Sequence, residues 1–230
     1  MKAPLLLVFA ALTLGLTGCF KKEELPECVG SCTVVTGRLL TSGSAPLPGA
    51  TVTLRWADGP SYNPKSRNKG ITTTDENGRY RVSGFLSDEE LANGFIAVAF
   101  SPDKSKHYLI GEPQLAFYRL KRDTVYTAAD YLIPRKAFIK FFTTNPSQIP
   151  DPYSYNVDLS SCYGSNTVFS NNIRGGGVSV AAFGLSTTSV FEVAGDQPIL
   201  VRQRKNYAYV PRNDTLFIPA GTTKTYALTY

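Results

Sequence analysis

The sequence predicts an all-β protein built from two packed β-sandwich domains. From Thr33 onward, short apolar runs are separated by turn residues about every ten positions, which is the strand spacing of a sandwich or barrel. Each half of the chain contains about seven such runs, the strand number of a sandwich domain. Apolar residues make up 43% of the chain and include 13 Tyr and 13 Phe, so two cores can be filled.

In the first half, the clearest strand is predicted at residues 50–56. Val52, Leu54 and Trp56 alternate there with Thr and Arg, so Trp56 is predicted to fill the core. Residues 75–78, Asp-Glu-Asn-Gly, predict a tight hairpin between the flanking strands, because Asn and Gly accept a positive φ. The other predicted elements are a helical turn at 87–93 and strands at 34–40, 71–74, 79–83, 95–100, 115–120 and 124–132.

The second half is predicted to begin at Pro134, where no flexible linker separates it from the first half. We therefore expect one domain at residues 33–133 and another at 134–230, packed directly against each other. The strands predicted for the second domain lie at 137–143, 156–162, 178–183, 189–194, 199–204, 215–219 and 223–230.

The positive charge of the chain is mild and dispersed. The net charge is +6 for the full sequence and falls to +5 if Lys2 is removed with a leader. Proteins that bind nucleic acid concentrate such charge in a stripe, whereas the densest cluster here is Arg202, Arg204 and Lys205 on a predicted strand. We interpret this cluster as a solvated strand face and predict no nucleic-acid partner.

Residues 1–18 have the layout of a cleaved signal peptide, with Lys2, an uncharged apolar stretch and small residues before Cys19. The stretch is shorter than the roughly 20 apolar residues that span a membrane. Residues 16–19, Leu-Thr-Gly-Cys, resemble the lipobox of bacterial lipoproteins, which implies lipid on Cys19 and makes the membrane a partner. The alternative is an ordinary secretory signal with a chance cysteine.

Residues 19–32 are predicted to form a lipidated tether. The trio Lys22, Glu23 and Glu24 resembles the signal that sends some Gram-negative lipoproteins to the outer face of the outer membrane. The predicted location is therefore the outer membrane, held by lipid, with display at the cell surface.

The cysteine count is consistent with an oxidising compartment and leaves the pairing open. Besides Cys19 the chain has Cys28, Cys32 and Cys162. A bridge between Cys28 and Cys32 is the local candidate, and a bridge from either one to Cys162 is the alternative. A zinc site would need a fourth ligand, and His107 is the only histidine, so we predict no metal and no cofactor.

Three motifs of the first half together resemble the carboxypeptidase regulatory-like domain. They are Gly37 after the first strand, the run Pro-Leu-Pro-Gly-Ala-Thr-Val at 46–52, and Thr74, Gly78 and Tyr80 around the predicted hairpin. The resemblance covers residues 33–115 and implies a transthyretin-like sandwich of Greek-key topology. The polar segment 57–69 departs from compact members of the family and is expected to be a long insert.

The chemistry of catalysis is not apparent in the sequence. A zinc carboxypeptidase needs more histidines than this chain has, a hydrolase triad would have to use His107, and no G-x-S-x-G motif is present. We therefore predict a non-enzymatic binding or adhesion module of the cell envelope, with a glycan or protein ligand. Its candidate contacts are Tyr62, Tyr153 and Tyr155 in loops. The alternative is a structural or accessory subunit of an outer-membrane transport or secretion assembly.

Overall fold

The computed structural model describes residue 25 and residues 28–59, 65–151, 154–170, 177–181, 190–206, 208–210 and 213–230. Their regular secondary structure is almost entirely β-strand, and the strands form packed sheets, which confirms the predicted all-β sandwich class. Within the same ranges, no helix has the length and apolar character to cross a membrane.

The first sandwich consists of nine strands and one short helix among the described residues. In chain order they are β1 (Thr33–Thr41), β2 (Ala45–Pro46), β3 (Thr51–Asp58), β4 (Lys65–Thr73), β5 (Arg79–Gly84), α1 (Asp88–Ala92), β6 (Phe95–Ser101), β7 (Gln114–Phe117), β8 (Val125–Thr127) and β9 (Tyr131–Leu132). Strand β1 pairs antiparallel with β2 and β5 and parallel with β8 and β9. The facing sheet has the order β4-β3-β6-β7.

The core of the first sandwich follows from the alternation of apolar residues along its strands. Val52 and Leu54 of β3 are fully buried, and Trp56 is 4% exposed. The indole Nε1 of Trp56 donates to the carbonyls of Glu90 and Asn93, at 3.1 and 3.0 Å, and so attaches α1 to β3. The predicted core role of Trp56 is confirmed.

The family landmarks occupy positions where the packing demands them. Gly37 and Tyr80 are cross-strand partners, and a Cβ on residue 37 would lie 2.5 Å from the Tyr80 hydroxyl, so only glycine fits. The Thr74 hydroxyl donates to the Leu47 carbonyl at 2.7 Å and accepts the Ala50 amide at 3.0 Å. These two bonds hold the loop before β3 against the turn before β5.

The turn at residues 75–78 forms as predicted, but the hairpin does not. The Asp75 carboxylate accepts the amides of Asn77 and Arg79, at 2.9 and 2.8 Å, and Gly78 has a φ of 72°. However, β4 pairs with β3, whereas β5 pairs with β1 in the other sheet. The turn is therefore a corner that carries the chain from one sheet to the other.

Two further predictions about the first half need correction. The segment 57–69 is not simply a loop, because β4 begins at Lys65 and extends the pairing with β3 as far as Asp58. The single strand predicted at 124–132 is divided into β8 and β9, which pair with different parts of β1.

The second sandwich has eight strands among the described residues. They are β10 (Lys136–Thr143), β11 (Tyr155–Ser161), β12 (Gly177–Ala181), β13 (Val190–Ala194), β14 (Pro198–Lys205), β15 (Ala208–Tyr209), β16 (Asp214–Phe217) and β17 (Thr223–Leu228). One sheet has the order β13-β10-β17, and the other has β12-β11-β14 with β15 and β16 both paired to β14. Their inner faces enclose a separate apolar cluster that includes Ile139, Phe141, Val157, Ile199 and Leu228.

Strand β1 connects two ends of the first sandwich. The distance from Thr33 to Thr41 is about 26 Å, since a strand rises roughly 3.3 Å per residue. Thr33 follows the Cys28–Cys32 disulfide, and we name this the tether end. Thr41 leads into a 3-10 turn at Ser42–Ser44, where the second sandwich begins to make contact, and we name this the junction end.

The junction consists of a small set of buried hydrogen bonds. The Ser42 hydroxyl donates to the Gly195 carbonyl at 2.7 Å and accepts the Arg135 amide at 2.8 Å. The Gly195 amide in turn donates to the Arg135 carbonyl at 2.7 Å, and the Arg135 side chain pairs with Asp196. The two sandwiches are therefore in direct contact through hydrogen-bonded backbone as well as side chains.

Candidate functional site

Several predicted site residues lie outside the described ranges. These are the leader at 1–18, the lipidation candidate Cys19, the trio at 22–24, and the candidate contacts Tyr62 and Tyr153. In the structure Cys28 is bonded to Cys32. Cys162 is a buried free thiol, and burial raises its pKa. A reactive thiol has a lowered pKa, so Cys162 has the character of a packing residue.

Tyr155 is a core residue, so its prediction as a ligand contact is wrong. It is 0% exposed, and its hydroxyl donates to Gln203 Oε1 at 2.7 Å. Its ring packs on the ring of Tyr230 with centroids 5.4 Å apart. Tyr155, Val157 and Leu159 occupy alternate positions of β11 and therefore point to the same face, which is buried. This alternation indicates the burial of Tyr155, whereas the nearby prolines suggested a loop.

A cleft of about 560 Å³ lies at the junction of the two sandwiches. Its volume falls within the range of about 300–1,000 Å³ that is typical of ligand sites. One wall comes from the end of β6 and the loop at 102–113, and the other comes from β10 and β13 of the second sandwich. We call it the junction cleft. Its lining includes Phe100, Lys104, His107, Glu112, Lys136 and Glu192.

The loop that carries His107 is held in place by hydrogen bonds to the second half. The Tyr108 amide donates to the Pro134 carbonyl at 2.9 Å, and the Lys136 amide donates to the Lys106 carbonyl at 2.8 Å. Within the loop, the Asp103 carboxylate accepts the amide and hydroxyl of Ser105, at 2.9 and 2.6 Å. These two bonds lower the pKa of Asp103, with a further contribution from Lys106.

His107 is positioned as part of this loop and not as a member of a catalytic triad. It is 9% exposed, and its Nδ1 lies 3.0 Å from the main-chain carbonyl of Asp103. A triad histidine is oriented by a carboxylate and contacts a nucleophile through its other nitrogen. Here the orienting group is a peptide carbonyl of the same turn. Within the described ranges, no group of three or more His, Cys, Asp or Glu side chains could hold a metal ion.

Two ion pairs give the junction cleft its charge. Lys136 Nζ lies 2.7 Å from Glu192 Oε1, and Arg55 Nη2 lies 3.1 Å from Glu112 Oε1. Both carboxylates are about half exposed, at 52%, so their outer oxygens can accept further hydrogen bonds. Lys104 is an exposed cation on the loop. The cleft thus contains both hydrogen-bond donors, on its lysines, and acceptors, on its carboxylates.

Aromatic residues support one wall of the cleft from behind. Phe100 and Tyr131 pack with ring centroids 4.9 Å apart, and Tyr163 packs on both Tyr131 and Tyr108 at 6.2 Å. Burial raises the pKa of Tyr108 to about 12, and the nearby Tyr163 and Glu192 contribute to this shift. Because Tyr163 belongs to the second half and the others to the first, this cluster also stiffens the junction.

The basic cluster of the second sandwich is divided by the strand geometry. The guanidinium groups of Arg202 and Arg204 lie over the ring of Tyr209, at 5.2 and 5.9 Å, and the Tyr209 hydroxyl donates to Asp158. Lys205 lies instead over the buried ring of Tyr155, at 5.6 Å. Successive strand residues point to opposite faces, so the three cations do not form the single solvated face that we predicted.

The sequence contains no signal that would have found the junction cleft. Lys136 and Glu192 are 56 positions apart, and Arg55 and Glu112 are 57 apart. Each is an ordinary polar residue of a strand or loop, and only the packing of the two sandwiches brings them to one surface.

Comparison with known proteins assigns the chain to no family. No protein-family model matches the chain, and no curated protein matches it significantly. Among solved structures, the TIE protein of Bacillus anthracis overlaps with 86% of this chain and 34% of its own length, at 10% identity and a TM-score of 0.33. A streptococcal ancillary pilin overlaps with 85% of this chain and 62% of its own length, at 11% identity and a TM-score of 0.31. The shaft pilin SpaA of Lactobacillus rhamnosus GG overlaps with 87% of this chain and 98% of its own length, at 8% identity and a TM-score of 0.30. The chain spans about a third of the TIE protein and under two thirds of the ancillary pilin. At these TM-scores the overlap supports no inference about function.

Proposed function

We propose that this chain is a lipid-anchored binding module of the cell envelope, in which the first sandwich is a spacer that holds the junction cleft and the second sandwich away from the membrane. One observation carries the proposal: the tether end and the junction end lie at opposite ends of β1, about 26 Å apart at the usual rise of a strand. A ligand-binding surface at the far end would be accessible to large partners.

The proposed ligand is a glycan or a protein segment bound in the junction cleft. The cleft supports a neutral, hydrogen-bonding ligand over a strongly charged one, because Lys136 is paired with Glu192 and Glu112 is paired with Arg55. The hydrogen bonds that fix the cleft walls mean that little ordering is required on binding, which favours affinity.

The anchor is tested by the substitution Cys19→Ala in the full-length protein. We expect the variant to leave the membrane fraction while its folded part keeps the wild-type melting temperature, because the lipid attaches outside the strands. Cell fractionation and thermal unfolding would measure both properties. If the variant stayed firmly in the membrane fraction, lipid on Cys19 would not be the anchor.

The ligand is tested with residues 26–230, which contain every described strand, on glycan arrays and in pull-downs from envelope extracts. Bound ligand should be lost at least about tenfold in the charge-neutral variant Lys136→Ala with Glu192→Ala, a cost of about 1.4 kcal/mol. The matched control is Lys224→Ala with Glu76→Ala, two exposed residues that do not line the cleft. Equal binding by both double variants would place the ligand elsewhere, and capture of a stable envelope assembly would favour an accessory subunit.

A further inference from the structure

We infer that the tether end of the first sandwich rests on the bilayer that holds the lipid, with Phe85 and Tyr118 at the level of the lipid headgroups. The inference rests on the anchor proposed at Cys19 and adds to it the protein surface that faces the membrane. We name this surface the membrane-facing loops; it consists of Phe85 and residues 118–122.

The position of the chain entry limits how far this end can be from the bilayer. Ser31 Oγ donates to Asp123 Oδ2 at 3.0 Å, which holds the Cys28–Cys32 segment against the loop that follows β7. Nine peptide steps join Cys19 to Cys28, and nine steps span at most about 32 Å. A lipid on Cys19 would therefore keep the tether end within that distance of the bilayer surface.

Four of the ten exposed large apolar side chains among the described residues lie at this end. Among the described residues, Tyr118 is 66% exposed, Phe85 49%, Val29 84% and Val125 55%, although all are large apolar side chains. Apolar groups that remain exposed together mark an interaction surface, and aromatic rings are enriched where membranes meet water. A lipid on Cys19 would place a bilayer next to these side chains.

Both aromatic rings are held in position from behind. The Tyr118 ring packs on the Phe95 ring with centroids 5.3 Å apart. The Arg122 guanidinium lies 5.5 Å from the centre of the Phe85 ring and pairs with Asp88 on α1. Each ring therefore has a neighbouring side chain that limits its movement.

The charges around the rings suit lipid headgroups without making the surface strongly basic. Arg119 and Lys121 are exposed and form no ion pair among the described residues, so they are available to phosphate oxygens. Glu89 on α1 is exposed at the same end. The aromatic contacts therefore carry the inference, and the two cations support it.

The test places a fluorescent reporter at each end of the molecule. Residues 19–230 are coupled through the Cys19 thiol to a maleimide phospholipid in liposomes, so the outcome does not depend on whether cells attach lipid to Cys19. The reporters are Tyr118→Trp and Phe85→Trp, and the matched control is Phe217→Trp, which is 57% exposed on the second sandwich. Trp56 contributes the same buried background to all three.

We expect vesicles made with lipids brominated near the headgroup to quench Tyr118→Trp and Phe85→Trp and to leave Phe217→Trp close to the wild-type signal. If both reporters at the tether end were quenched no more than Phe217→Trp, this surface would not face the bilayer. That failure would leave the display function intact. Conversely, absence of lipid on Cys19 in cells would refute the anchor without altering the vesicle result.

Discussion

Two buried tyrosine hydroxyls differ in their contribution to the stability of the fold. Burial raises the pKa of both Tyr80 and Tyr155. The Tyr155 hydroxyl donates to Gln203 Oε1 at 2.7 Å, whereas the Tyr80 hydroxyl has no hydrogen-bond partner among the described residues. The Tyr80 hydroxyl packs over Gly37 and occupies the space that a side chain on residue 37 would fill. A buried polar group without a partner lowers the stability of the fold.

The two tyrosines should therefore respond oppositely to removal of the hydroxyl. We expect Tyr80→Phe to leave the free energy of unfolding unchanged or to raise it by up to about 1 kcal/mol, because an unpaired buried oxygen is lost. Tyr155→Phe should lower it by about 1–2 kcal/mol, because the Gln203 side chain loses its donor. Urea unfolding of the two variants measures both values, and equal losses would show that Tyr80 has a partner in solution.

At the scale of elements, a buried carboxylate attaches α1 to β4, in addition to the bonds that Trp56 makes with the helix. Glu90 is 2% exposed and lies 2.6 Å from Lys69 Nζ of β4, and its carboxylate accepts the Ser87 amide at 2.9 Å to complete a capping box. Burial acts to raise the pKa of Glu90, but the bonds from Lys69 and Ser87 and the charges of Lys69 and Arg67 outweigh it, so the pKa is lowered overall.

This lowered pKa gives the fold a defined dependence on pH. An unfolded chain binds the proton more readily, so the contribution of Glu90 is complete above its ordinary pKa of 4.5 and is lost as the pH falls through the lower folded value. We expect Glu90→Gln to cost about 1–3 kcal/mol at neutral pH, because Lys69 loses its charged partner. The difference from the wild type should shrink below pH 4.5.

Urea unfolding at pH 7 and pH 3.5 would measure that difference. Glu89→Gln is the matched control, since Glu89 is the adjacent residue, is exposed and forms no ion pair among the described residues. A Glu90→Gln variant whose deficit stayed constant across this range would show that folding does not lower the pKa of Glu90.

At the scale of the whole molecule, the relation between the sandwiches depends on the junction. The Ser42 hydroxyl is buried and connects the first half to both Arg135 and Gly195. Apolar packing supports this connection, because Ala194 of the second half joins the core cluster of the first. A fixed junction is what the spacer role requires, since a flexible one would not hold the cleft in a constant position.

We expect Ser42→Ala to lower the free energy of unfolding by about 1–3 kcal/mol, because it leaves the buried Gly195 carbonyl and the partly buried Arg135 amide without their partner. Ser44→Ala is the matched control in the same turn, where the side chain is exposed. Urea unfolding followed by Trp56 fluorescence would compare them. Equal stability of the two variants would mean that the hydroxyl does not hold the junction.

Several features of the fold could be read from short stretches of sequence. The alternation at residues 50–56 predicted the burial of Val52, Leu54 and Trp56, because a strand turns every second side chain inward. The turn residues at 75–78 predicted a tight turn, because the Asp75 carboxylate can bond only to amides close to it in sequence. Both are local effects, and local pattern is sufficient to predict them.

Other features depend on residues that are distant in sequence. The same turn connects two sheets and does not close a hairpin, because β5 pairs with β1. The paired residues of these two strands are more than 40 positions apart in the sequence. Residues 65–69 form a strand without any apolar alternation, since pairing with β3 and the packing of Arg67 on Trp56 hold them there. Tyr155 is buried because the sheet of β10 covers it.

The sequence by itself determined the all-β class, the approximate strands, the turn and the residues that resemble a lipobox, because each of these is encoded within a few neighbouring positions. The tertiary structure alone decided which strands share a sheet, where the tether end lies relative to the junction, and which charged side chains form the cleft. Those properties arise when surfaces formed by distant segments are buried against each other, and no local pattern specifies that pairing.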